Sequence, residues 1–160
     1  MIGDSIMNTY TVSFFGHRVI SQPFLIAERL EKIIREKIAT KEYVEFLVGR
    51  DGEFDLLVAS VIRQVTKKLE YGNSALVLVL PYMKSEYKNN QQQFLNYYDE
   101  VEVCAEAAEA HFKAAIQIRN RLMVDRSDLV VCCIEHDSGG AYQTVKYASQ
   151  KKKKILNVSK

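Results

Sequence analysis

The sequence predicts an α/β domain built on a doubly wound, mainly parallel sheet of about five strands with helices on both faces. Three observations predict it. Short apolar or β-branched runs recur: YTVSFF from Tyr10, YVEFLV from Tyr43, ALVLVL from Ala75, LVVCCI from Leu129 and ILNV from Ile155. Their near-continuous hydrophobicity is that of strands covered on both faces. Stretches with helical spacing separate them, and glycine follows three of the first four runs, where the chain must turn sharply at the sheet's end.

Each element follows in order. After the first strand, Phe24, Ile26, Leu30, Ile33, Ile34 and Ile38 recur at helical spacing and mark the first crossover. Phe54, Leu57, Val58, Val61, Ile62, Val65 and Leu69 mark the second. Parallel strands need such crossovers, so the sheet is mainly parallel. From Pro81 to Asp99 the pattern fails in a polar, amide-rich stretch interleaved with tyrosines, read as a functional loop or an irregular excursion. Helix resumes at about Ala105 to Arg126, and a last helix runs from near Gly140 to the Lys151 to Lys154 cluster, read as a solvated end that complements the helix dipole. Residues 8–160 form a single domain, and residues 1–7 read as a leader or a cloning remnant.

Composition narrows the function classes. Hydrophobic residues are 48% and charged residues 26% of the 160, ordinary globular usage. A net charge of +2 provides no whole-molecule basic field, so nucleic acid is expected not to be a partner, although a local basic pocket is compatible. Cys104, Cys132 and Cys133 lack disulfide or metal-ligand spacing and read as buried apolar groups in a reducing compartment; no metal is expected. No apolar stretch reaches the roughly 18 residues that span a bilayer, and MIGDSIMN lacks the features of a secretory signal, so a cytoplasmic location without membrane contact is expected.

In such sheets ligands bind beyond the carboxyl ends of the strands. Those positions hold Gly16, His17 and Arg18 after the first strand; Gly49, Arg50, Asp51, Gly52 and Glu53 after the second; Pro81 and Tyr82 after the third; and Asp137, Ser138, Gly139 and Gly140 after the fourth. Glycines permit close backbone approach, and two junctions lead into helix N-termini with free N–H groups, a combination suited to phosphate. His17 and Arg18 read as donors, Asp55 as a partner for ribose hydroxyls, and Thr144 completes the loop after Gly140. Arg119, four residues before Met123, offers a guanidinium that can grip a phosphate bidentately. Each element also has an ordinary reading: glycine as a turn, histidine as a satisfied structural side chain, arginine as an exposed helical residue. His111 and His136 read as surface residues.

FFGHR, GRDGEFD, LPY, RNRLM, RSDLVV and SGGAYQTVKYA together resemble the SLOG superfamily, specifically its YpsA-like branch, over nearly the whole chain from Tyr10. The resemblance implies a Rossmann-like fold that binds nucleotides or nucleotide-derived ligands. Some relatives of the superfamily are ligand sensors. The related Lonely Guy phosphoribohydrolases cleave nucleoside monophosphates with an arginine, which Arg119 resembles, and a glutamate in a PGGxGTxxE motif. Here Ser138 stands for the proline, Tyr142 for a glycine, Gln143 for the threonine and Lys146 for the glutamate. A lysine there disfavours an oxocarbenium-like centre.

The expectation is a protein that binds a nucleotide-derived small molecule, as sensor or sequestering protein, with no other cofactor and as a homo-oligomer. The alternatives are an N-glycoside hydrolase or ribosyltransferase using Glu53 or Asp55 with Arg119, and a single-strand nucleic-acid binder. For the last, Tyr82, Tyr87, Tyr97, Tyr98, Lys84 and Lys88 would supply stacking and charge.

Overall fold

In the computed structural model, which describes residues 7–107 and 109–160, the strands are β1 (Thr9–Gly16), β2 (Tyr43–Val48), β3 (Ser74–Leu80), β4 (Glu100–Val103), β5 (Leu129–Cys133) and β6 (Lys154–Asn157). Five of these are the apolar runs. β4 was invisible to hydrophobicity because its EVEV sequence lies at a sheet edge, half-buried at best, where glutamates stay in water. The order is β4-β3-β2-β1-β5-β6 with every neighbouring pair parallel. The chain winds outward from β1 to β4, then returns to the other side of β1. Strand order therefore reverses between β1 and β5, and a crevice opens there.

Helices α1 (Pro23–Thr40) and α2 (Glu53–Leu69) pack against each other on one face. The short helices α3 (Ser85–Asn89) and α4 (Gln91–Tyr97) lie within the polar excursion, and α5 (Phe112–Arg126) pairs with α6 (Gly140–Gln150) on the second face. Alternate strand residues serve the two faces. Phe14, Phe46, Leu78 and Val131 join Ile26, Leu30, Ile34, Val58 and Ile62 in one core, whereas Phe15, Leu47, Val77 and Val130 meet Met123, Val124 and Ala148 in the other. Each fully buried side chain of this kind contributes roughly 1.5–3 kcal/mol. The three cysteines are buried, and burial pushes the Cys132 and Cys133 thiols up to about 12 and about 11. Among the described residues no helix is long and apolar enough to cross a membrane. Of the seven residues read as a leader, 1–6 lie outside the described residues.

The amide-rich excursion is anchored to its own chain. Tyr87, Phe94 and Tyr98 are buried in the first core, with Tyr87 edge-on to Phe94 at 5.4 Å. Tyr87 and Tyr98 are therefore not available to a second subunit or to a stacked base. Arg50 turns toward this segment, donating to Glu86 Oε1 at 2.7 Å and lying 5.0 Å over the Phe94 ring. The lysine cluster closes the second face: Lys153 Nζ donates to the carbonyls of Asp125 and Ser127 at the end of α5.

Two glycines set how the loops meet. A side chain on Gly16 would place its Cβ 2.3 Å from the Phe54 ring, so α2 seats its first apolar residue directly on the end of β1. A Cβ on Gly52 would lie 2.5 Å from Arg18 Cα. The loops after β1 and β2 are latched there, with Glu53 N–H donating to Arg18 O at 2.8 Å and Ile20 N–H donating to Glu53 Oε2 at 2.9 Å. Gly16→Ala should destabilise the fold by on the order of 3 kcal/mol through overpacking, and Phe54→Ala in the same chain should recover part of that loss. Urea unfolding of the two single variants and the double variant checks this; purely additive losses would refute the contact.

Candidate functional site

At the switch point between β1 and β5 lies an open crevice of about 620 Å³. Gly16, His17, Arg18 and Val19 line it from the end of β1, Gly49, Asp51 and Asp55 from beyond β2, and Lys113, Gln117, Arg119 and Asn120 from α5. His136 and the Gly139–Ala141 turn close it beyond β5.

Its floor is a buried guanidinium. Arg119 is 2% exposed and donates in three directions: Nε to Asn120 Oδ1 at 2.8 Å, Nη1 to Val79 O at 2.7 Å and Nη2 to Asp51 Oδ2 at 2.5 Å. Asn120 Nδ2 in turn donates to Thr144 Oγ1, which donates to Gly140 O at 2.9 Å. One connected network thus ties the ends of β2 and β3 to α5 and α6. A buried cation is tolerated only when so partnered. Removing it leaves Asp51 without its main counter-charge, so Arg119→Ala should cost about 3–5 kcal/mol, measured by urea unfolding.

The same cation divides the behaviour of two carboxylates. Burial acts to raise Asp51, but Arg119 and then Lys84, 3.4 Å away, outweigh it and hold the group below the usual carboxylate range. At Asp55 burial wins and pushes the carboxyl up to about 6, against the opposing hydrogen bond from Asp51 N–H at 2.9 Å. Asp51, Asp55 and Arg119 converge over Gly49, whose hypothetical Cβ would lie 3.1–3.3 Å from a polar atom of each.

His17 is buried and its ring stacks on His136, with centroids 3.7 Å apart and planes 7° from parallel. The backbone N–H of His136 donates to His17 Nε2 at 3.3 Å, so that nitrogen is unprotonated. Burial, and next the neighbouring His136, lower the His17 pKa. His17 is thus a neutral imidazole at neutral pH, and its Nε2 is an acceptor within the protein where the sequence suggested a donor to a ligand. Ser21 donates to Glu135 from both its backbone N–H and its hydroxyl, pinning the loop after β5 to the loop after β1.

The α6 N-terminus has no side-chain cap. Gln143 N–H is the first to reach an acceptor, Gly139 O at 3.1 Å, which leaves the N–H groups of Gly140, Ala141 and Tyr142 at the open end of the helix. Gly139 has φ +95°, where only glycine sits without strain. The α2 N-terminus differs in that its first N–H, that of Glu53, already donates to Arg18 O.

Of the residues expected at the site, Gly16, His17, Arg18, Gly49, Asp55, Arg119, Gly139 and Gly140 meet in the crevice. Glu53, Arg50, Gly52, Pro81, Tyr82, Ser138 and Thr144 do not line it. Glu53 and Gly52 latch the two loops, Pro81 is buried, and Tyr82 packs beside Cys104, Ala107 and Ala115. Ser138 Oγ lies 3.0 Å from His136 Nδ1 just outside. Lys113, Gln117 and Asn120 were missed because no strand-end signal marks α5. His136 was read as a surface residue; it is exposed, yet it stacks on His17 and lines the crevice, a pairing visible only across the β1–β5 boundary. Among the described residues no three metal-binding side chains gather.

Comparison with solved structures decides the fold relationship. The chain superposes on DNA processing protein A from Streptococcus pneumoniae with a TM-score of 0.65 at 16% identity, covering 92% of this chain and 49% of that one. The fold is similar to that of DNA processing protein A. The Helicobacter pylori DNA processing protein A gives a TM-score of 0.63 at 14% identity, covering 91% of this chain and 63% of that one. The chain thus spans about half to three fifths of these structures. No protein family and no curated protein matches the sequence. The Helicobacter pylori protein is described by its single-stranded DNA binding mode. This corrects the expectation that nucleic acid is not a partner, which rested on net charge alone: a protein of similar fold is described as binding single-stranded DNA.

The raised Asp55 fixes a pH dependence. Its folded pKa of about 6 lies above its unfolded value, so the native state holds the extra proton and loses stability as pH rises from about 4 through 6. Asp55→Asn, whose amide oxygen still accepts from Asp51 N–H, should remove this loss. The variant gains on wild type by on the order of 1 kcal/mol between pH 4.5 and 7.5, read from urea unfolding at both pH values; a constant difference would refute the assignment.

Proposed function

We propose that the crevice binds a nucleotide-derived ligand through its phosphates, as a sensor or sequestering protein of the YpsA-like branch of SLOG proteins acting in the cytoplasm. The observation that carries this reading is the uncapped α6 N-terminus opening into the crevice with Arg18 and Lys113 also on its wall. Free N–H groups and a helix dipole favour an anion, and two cations in the same cavity add long-range attraction. Arg18 forms no ion pair among the described residues, so its charge remains for a ligand. Arg119, with three donor groups engaged internally, acts as a fixed positive floor. Asp55 is placed to accept from a sugar hydroxyl.

A second reading is favoured by the Helicobacter pylori neighbour: the nucleotide unit is part of a single DNA strand crossing the crevice. The same phosphate seat serves both. Strand length and salt separate them: a strand binder gains affinity from mononucleotide to oligothymidylate and loses it steeply with salt, whereas a mononucleotide binder holds the free nucleotide at least as tightly as the strand.

Calorimetric titration of a nucleotide panel and of oligothymidylate tests the reading. Arg18→Ala should weaken binding about ten- to a hundredfold, a charge-assisted contact of roughly 1.5–3 kcal/mol, with the fold unchanged because the side chain is exposed. Equal affinity of the folded variant and wild type would place the site elsewhere. Release of free base during the titrations would move the reading to N-glycoside hydrolysis, with Asp55 as the carboxylate.

A further inference from the structure

We propose that His136 is the nucleobase platform of the crevice. The inference rests on the phosphate reading above and adds where the base goes. One face of the His136 ring is covered by His17 at 3.7 Å, yet the residue as a whole is exposed and lines the crevice. Its other face is therefore open, and a planar ring laid on it becomes the third member of a stack begun by two imidazoles. Stacking on an aromatic face is tolerant of base identity, because every base has a π-face.

The platform is held ready on every side. His17 beneath it is buried at the end of β1 and accepts from the His136 backbone N–H, so the two rings are fixed by main chain as well as by contact. Ser138 Oγ, 3.0 Å from His136 Nδ1, fixes the ring in its own plane. Glu135, the preceding residue, is clamped by Ser21. A ligand that stacks there orders little further protein, which is the condition for aromatic area to appear as affinity. Three residues beyond His136 begins the Gly139–Gly140 turn with its free N–H groups. The loop after β5 thus presents a flat apolar face for a base and then a helix end for phosphate, in the sequence order base seat then phosphate seat. Neither histidine alone suggests this; the open outer face of a rigid pair does.

The test compares the four common ribonucleoside triphosphates with inorganic tripolyphosphate, which carries the same phosphate chain without a nucleoside. Wild type should bind the nucleotides more tightly than tripolyphosphate. His136→Ala should weaken nucleotide binding about tenfold while leaving tripolyphosphate unchanged, and His136→Phe should retain most of the nucleotide affinity. Ring protons of His136 should also shift upfield in NMR spectra on adding nucleotide. Unchanged nucleotide affinity in folded His136→Ala, or no preference for nucleotides over tripolyphosphate in wild type, overturns the platform while the phosphate seat stands. If neither probe binds wild type, the phosphate reading fails and the platform falls with it.

Discussion

The Arg119 guanidinium is the constraint on which the arrangement of the crevice depends. It is a fully buried charge, and burial of that kind is stable only if each donor finds an acceptor of correct geometry. Those acceptors come from three places: a carbonyl at the end of β3, a carboxylate beyond β2 and an amide on α5 itself. Asn120 extends the chain of bonds to Thr144 and the first turn of α6. The loops that make the site are thereby set relative to one another by a polar network on the crevice floor, while the strands below are held by two apolar cores. Such a network is cooperative, since loss of one member leaves others unsatisfied in a poorly solvated place.

The glycines at the strand ends divide into two kinds. Gly16 and Gly52 are small because protein already occupies the space a side chain would take, Phe54 in one case and the Arg18 backbone in the other. They bring loops together. Gly139 has nothing near its missing side chain and a positive φ, so it is glycine for the backbone path it allows. The result is asymmetric. The α2 N-terminus is packed against the loop after β1, with its first N–H bonded to Arg18 O, and the α6 N-terminus is left open at the crevice.

Charge in the crevice is balanced by position rather than by number. Asp51 is held ionised beside Arg119 and Lys84, whereas Asp55, more deeply desolvated, titrates near 6. Burial, and next the stacked His136, disfavour a positive charge on His17. The exposed cations are Arg18 and Lys113 at the wall, and the buried one is Arg119 at the floor. A chain of small net charge can in this way present a concentrated local field.

Amino-acid order by itself determined the doubly wound α/β class, because strands buried on both faces must be apolar along their length and crossover helices must repeat at 3.6 residues. It also marked the strand-end glycines, Arg18, Asp55 and Arg119 as the places to look. The edge strand β4 escaped it, since four residues with alternating glutamates carry no burial signal. The roles within the crevice escaped it too. That Glu53 is a latch, that Arg119 has its donors engaged and that His17 and His136 stack are facts about groups 33 to 119 positions apart, brought together across β1, β2, β3 and β5. Local sequence records which side chains can donate, accept or stack. Only tertiary contact decides which partner each one finds, because burial and distance set the strength of every polar interaction here.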